Sequence, residues 1–175
     1  FLAEKRCKVI VIACNSASSF IDLSVLKITE KISIFNVIDP VVSEVVKACS
    51  NYNIGVIGTK ATIGSNIYER KIHTSCKGAK VNSLATPLLA PMIEEGFINE
   101  KISNTIITNY LSNPLLANVD HLILACTHYP LIYNEISDYY KGEVNVIDSS
   151  KIVAKHISDE LKKKGLLNET INAKY

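Results

Sequence analysis

Cys14 and Cys126 are the residues on which chemistry would turn. Each closes an apolar run, Val9-Ile10-Val11-Ile12-Ala13-Cys14 and Leu122-Ile123-Leu124-Ala125-Cys126, and each is followed by side chains able to hydrogen-bond a small anion. Asn15 and Ser16 follow the first, Thr127 and His128 the second. A short aliphatic run closed by turn-forming residues reads as a strand buried on both faces of a parallel sheet. The thiols then sit at the C-terminal ends of strands, where open α/β sheets bind ligands. There the positive end of the next helix dipole favours the thiolate. A single cysteine in this setting is more simply a small buried hydrophobe. Two in matching settings are hard to explain by packing alone.

Two opposed acid/base groups suit one reaction class: removing a proton from one face of a carbon and returning another to the opposite face. Each sulfur must come within roughly 3.5 Å of that carbon, which sets the pair about 7 Å apart. Neutral donors nearby would hold a charged substrate, and Asn15, Ser16, Thr59, Thr62 and Thr127 are candidates. His128 is placed to tune or assist Cys126, the alternative being an orienting or capping histidine. Glu94 reads as a supporting base or an ammonium ligand, the alternative being a solvated surface carboxylate.

The elements that position these residues alternate. Strands are predicted at 9–13, 33–38, 53–57, 80–85, 121–125 and 143–147. Helices are predicted at 17–27, 41–49, 65–74, 99–111, 131–140 and 149–164, with Asp39 and Pro40 opening the second and Gly165 closing the last. Residues 1–8 read as a helix end, the Gly58–Gly64 segment as a loop whose glycines permit close ligand approach, and 86–96 as irregular. Strand–helix alternation implies a parallel α/β architecture.

The chain has 175 residues, 47% of them hydrophobic and 21% charged, enough apolar surface for a substantial core. Its net charge of +2 is spread along the chain, with no footprint for nucleic acid or an anionic membrane. No apolar run reaches the ~20 residues that span a bilayer. The five cysteines are odd in number and lack metal-ligand spacing, so no metal site is expected and the compartment is read as reducing, hence cytoplasmic.

There is also an internal repeat. Asn36-Val37-Ile38-Asp39 recurs as Asn145-Val146-Ile147-Asp148, at nearly the same offset as the two cysteines. This implies a duplicated α/β unit, with pseudo-symmetric parallel-sheet lobes facing one cleft. One lobe is residues 1–38 plus 147–175, the other 39–146, with hinge crossings near Asp39 and Asp148. By the same symmetry the first lobe lacks its opening strand and a loop equivalent to Gly58–Gly64, so the chain is read as N-terminally truncated.

Four segments carry a resemblance. Val11-Ile12-Ala13-Cys14-Asn15-Ser16-Ala17-Ser18, Gly55-Val56-Ile57-Gly58-Thr59-Lys60-Ala61-Thr62, Pro91-Met92-Ile93-Glu94-Glu95-Gly96 and Leu124-Ala125-Cys126-Thr127-His128-Tyr129-Pro130-Leu131 resemble, in order and spacing, the cofactor-independent glutamate racemases of the aspartate/glutamate racemase superfamily. The resemblance implies Cys14 and Cys126 as catalytic thiols, Asn15, Ser16, Thr127 and His128 in contact with substrate, and Thr59 and Thr62 nearby. It further implies racemisation of glutamate without metal or pyridoxal phosphate, supply of D-glutamate for bacterial peptidoglycan, and dimer formation in many members. Ser16 stands where the family usually has Thr, which keeps the hydroxyl and loses a methyl. The family's opening strand with its Asp-Ser-Gly loop and a following Tyr-Gly segment, which supply an acidic partner for the first cysteine and further substrate contacts, have no counterpart here. The competing readings are an aspartate racemase of the same superfamily and an inactive ligand-binding fragment. Gly58-Thr59-Lys60 does not fit P-loop spacing, and a pyridoxal enzyme built on Lys60 would leave both thiols without a role.

Overall fold

The computed structural model describes residues 1–21, 32–47 and 51–167. Among these residues six strands fall in two parallel sheets. β1 (Val9–Ile12) pairs with β2 (Ser33–Asn36), and a four-stranded sheet has the order β4-β3-β5-β6, built from β3 (Asn53–Gly58), β4 (Lys80–Ala85), β5 (His121–Ala125) and β6 (Asn145–Ile147).

Alternation along the strands assigns the large sheet's two faces. Ile54, Val56, Ile123, Ala125 and Ile147 point into a core shared with α2 (Asp39–Lys47), α4 (Ile67–Ser75) and α8 (Ser149–Lys163). Ile57, Leu122, Leu124, Cys126 and Val146 point the other way, against α5 (Leu89–Glu94), α6 (Lys101–Leu111) and α7 (Tyr133–Tyr139). Both faces are covered, which is why β5 reads as a continuous apolar run rather than an alternating one. α8 and the Lys164 that ends it reach the small sheet too: Lys164 Nζ donates to Ser33 Oγ at 2.8 Å and His156 stacks edge-on against Phe35.

Several expectations need correction. Residues 2–6 form turns rather than a helix end, with Lys5 N–H donating to Phe1 O. α1 spans Asn15–Phe20 and so starts two residues before the predicted Ala17, because Cys14 itself caps it; it also ends earlier than predicted, with Ile21 already extended, and residues 22–27 of the predicted helix lie outside the described residues. The Gly58–Gly64 loop is mostly α3 (Lys60–Gly64), capped by Thr59, whose hydroxyl accepts from Thr62 N–H. Neither glycine there has a positive φ. Gly58 is needed for proximity, since a Cβ would meet Ala125 O at 3.0 Å. The segment 86–96 contains α5 despite its prolines, because Pro91 stands in the first turn, where its missing N–H costs nothing. A 3₁₀ turn (Tyr129–Ile132) separates Cys126 from α7. Gly165, at φ +63°, follows α8 in the left-handed region as expected. Cys7, Cys14 and Cys126 are free thiols and Cys76 is disulfide-bonded.

Candidate active site

In the order β4-β3-β5-β6 the chain steps from β3 to one side and then to the other, so the switch point lies between β3 and β5. Loops diverge there and leave a crevice at the C-terminal strand ends. Gly58-Thr59 leaves β3 at this point and Cys126-Thr127-His128 leaves β5.

The small sheet delivers its cysteine to the same place. Cys14 follows β1, adopts an extended conformation, and caps α1 by accepting from Ala17 N–H at 3.5 Å through Sγ. Its neighbour Ser16 reaches across to the β3 loop, with its hydroxyl 2.8 Å from Thr59 Oγ1 and 3.1 Å from Thr62 Oγ1; those two are 3.1 Å from each other. Three hydroxyls from two sheets thus form one cluster. The thiols are close enough to act on each other electrostatically, since charge on Cys14 works to raise the Cys126 thiol.

The two cysteines differ in environment. Cys14 is exposed and Cys126 is buried, at 6% exposure. Burial is the largest influence on Cys126 and pushes its thiol above the ordinary value; backbone N–H groups of His128 and Tyr129 pull the other way and do not prevail. The expectation of a dipole-favoured thiolate therefore fails at Cys126. The chain beyond Cys126 enters a 3₁₀ turn, not a helix start, and desolvation of the charged form outweighs the local donors.

Glu94 and His128, each with two readings from sequence, are joined to Cys126. Glu94 Oε1 accepts from His128 Nε2 at 3.0 Å, and His128 Nδ1 lies 3.6 Å from Cys126 Sγ. A carboxylate only accepts, so a neutral ring carries its hydrogen on Nε2 and turns an unprotonated Nδ1 toward the thiol. Thr127 is exposed at the turn. Asn15 is 2% exposed and directs its Oδ1 to the Tyr68 hydroxyl, which donates at 2.7 Å.

Sequence reasoning missed three supports. Thr86 and Tyr129 are both fully buried, their hydroxyls 2.8 Å apart; Tyr129 also donates to Thr86 O, and Thr86 N–H donates to Gly58 O at 2.8 Å. This ties the ends of β3, β4 and β5 together behind Cys126. Tyr68 is the third. Tyr129 falls inside one of the four family-like segments but has no role assigned there, and Tyr68 reads only as an apolar position on a helix, so neither carried a usable signal.

Residues 2–157 match the family described as Asp/Glu/Hydantoin racemase. The chain belongs to that family. Within it, the chain is 42% identical over 165 residues to the glutamate racemase of Aquifex aeolicus, a match covering 94% of this chain and 63% of that protein. Among solved structures, the glutamate racemase of Francisella tularensis, crystallised in complex with D-glutamate, superposes with a TM-score of 0.88 at 37% identity, over 100% of this chain and 65% of that one. The Bacillus anthracis racemase isoform RacE1 superposes at 0.84 with 34% identity, over 94% and 62%. The chain thus spans slightly under two thirds of the length of these racemases.

Proposed function

We propose that this protein interconverts L- and D-glutamate by a two-thiol acid/base mechanism. The observation that carries the reading is that Ser16, two residues after Cys14, is hydrogen-bonded to Thr59 and Thr62 across the two sheets, with Cys14 near enough to Cys126 to raise its thiol. The thiolate of one cysteine takes the α-proton, leaving the electron pair on the α-carbon and its carboxylate. The thiol of the other gives its proton to the opposite face and becomes the thiolate. The reverse reaction exchanges the roles. Asn15, Ser16, Thr59, Thr62 and Thr127 hold the carboxylates and the ammonium group by neutral hydrogen bonds. His128, oriented by Glu94, manages the proton on Cys126.

The same reading has residues 1–38 with 147–175 and 39–146 as two lobes around the cleft, with D-glutamate as product for peptidoglycan, assembly as a homodimer and a cytoplasmic setting. The family membership and the named glutamate racemases support it. No helix among the described residues is long and apolar enough to cross a membrane.

The deciding experiment is α-proton exchange of L- and D-glutamate in D2O, followed by NMR in the natural full-length protein, with aspartate alongside. Deuterium entering both glutamate enantiomers without added cofactor is the expected result. Exchange confined to aspartate moves the assignment to an aspartate racemase, and no exchange in either from a folded protein refutes racemisation.

A further inference from the structure

Asn15 carries a buried polar atom that nothing among the described residues satisfies. Its Nδ2 has no hydrogen-bond partner although the residue is 2% exposed. A buried donor left unpaired is costly and calls for an explanation. The other end of the amide is committed, because Tyr68, 53 positions along the chain, donates its hydroxyl hydrogen to Oδ1 at 2.7 Å. Tyr68 is itself 3% exposed, and burial pushes its hydroxyl well above the usual tyrosine range, so it stays a donor at any physiological pH. Asn15 cannot turn its amide over without placing its NH2 against that donor and stranding the tyrosine hydrogen. Its backbone is fixed too, since its carbonyl accepts from Ser19 Oγ at 2.8 Å. The amide therefore stands next to Cys14 with one orientation and one uncommitted group, an NH2.

We propose that Tyr68 is a positioning residue: it locks the Asn15 amide so that Nδ2 is presented as a donor to an anionic acceptor on the substrate, and the fit of an acidic amino acid beside Cys14 depends on a tyrosine that does not touch it. This rests on the racemase reading and deepens it. The arrangement joins the two halves of the site, because Tyr68 lies on α4 against the four-stranded sheet whereas Asn15 opens the helix after β1. A phenylalanine at 68 fills the same space and frees the amide to rotate.

The test is a double-mutant cycle on Tyr68→Phe and Asn15→Ala in the natural full-length protein, with kcat and KM for glutamate measured in both directions. Tyr68→Phe is expected to raise KM and to lower kcat/KM about tenfold, with little further loss in the Asn15→Ala background. A loss of kcat/KM under twofold, or the same loss in both backgrounds, overturns the proposal, since a merely structural role lowers the thermal midpoint without depending on Asn15. In the wild type, which needs no substitution to fold, the Asn15 side-chain NH2 resonances should move when glutamate is added, and resonances that stay in place also overturn it. A wild-type protein that fails to exchange the α-proton of glutamate brings down the racemase reading and this inference together. An active wild type with an indifferent Tyr68→Phe brings down this inference alone.

Discussion

Replacing Glu94 with Gln tests the link from Glu94 through His128 to Cys126. The substitution keeps shape and one acceptor oxygen, but removes the charge and no longer demands a hydrogen on Nε2 of His128. The bond at stake is 3.0 Å long, between side chains that are 38% and 59% exposed. A charge-assisted bond contributes about 1.5 kcal/mol when shielded, and solvent at this exposure reduces that to about 1 kcal/mol. Carried into the transition state, this is about fivefold in kcat/KM. A loss of a hundredfold or more would instead mean that His128 itself transfers the proton, since general acid–base catalysis contributes ~10²–10⁴. The two directions supply a sharper readout. Enantiomers have equal free energies, so kcat/KM for L→D and D→L must fall by the same factor in any variant. The asymmetry then appears in the isotope effect: with α-deuterated substrates, it should grow in the direction in which Cys126 takes the α-proton and stay near its wild-type value in the other. The assay is circular dichroism of each enantiomer's conversion by the natural full-length protein. A kcat/KM within twofold of wild type, or isotope effects that grow equally in both directions, refutes the assignment of Glu94 to the Cys126 side.

Cys14→Ser and Cys126→Ser should each lower racemisation by at least ~10³-fold, because serine is a far poorer proton acceptor than the thiolate; near-normal turnover in either removes the two-thiol mechanism. Iodoacetamide should modify exposed Cys14 well before Cys126, which is buried and whose thiol is pushed up by burial, and peptide mass spectrometry showing equal rates would contradict that asymmetry. Tyr129→Phe breaks two contacts with Thr86, at 2.8 and 3.0 Å, and should destabilise the fold by about 1–2 kcal/mol, read as a fall of several degrees in the thermal midpoint; an unchanged midpoint means the clamp is not structural. Burial works to raise the Asp39 carboxyl, but bonds to Lys71 and Asn36 outweigh it and hold the group below its ordinary value of 3.8. A carboxyl held lower in the folded state adds stability that is present above its unfolded value and lost as pH falls through the folded one. Asp39→Asn should therefore flatten the acid limb of stability below about pH 4, and an unaltered limb would show that the Asp39–Lys71 pair contributes nothing.

Much of this site was legible because its chemistry is tied to strand ends. β5 matches its predicted span residue for residue, since its four-residue aliphatic run, Leu122 to Ala125, is covered on both faces and closed by turn-forming residues. The cysteines followed from the strands. Short helices were harder. Lys60–Gly64 and Leu89–Glu94 carry Gly or Pro and are too short for a periodic pattern, so a capping threonine and packing against the sheet decide them rather than propensity. Glu94 was ambiguous because its role depends on a contact with His128, 34 positions away, that no local pattern encodes. Tyr68 was invisible for the same reason.

The two thiols of the site are not equivalent. Cys14 caps an α-helix in the open, whereas Cys126 is buried in front of a 3₁₀ turn with His128 and Glu94 behind it. A racemase does not require them to match. Its equilibrium constant is one whatever the catalyst, so each thiol needs only to take a proton in one direction and return it in the other. Burial disfavours the Cys126 thiolate, and a base at its side is the local means of offsetting that cost. By this argument His128 is needed because Cys126 is buried. Loosening the packing around Cys126 by trimming Leu124, which is fully buried on the same face, should weaken the dependence on His128: the loss caused by His128→Asn should shrink in the Leu124→Ala background. An equal loss in both backgrounds, in protein shown to be folded, would separate the histidine from the desolvation it is argued to offset.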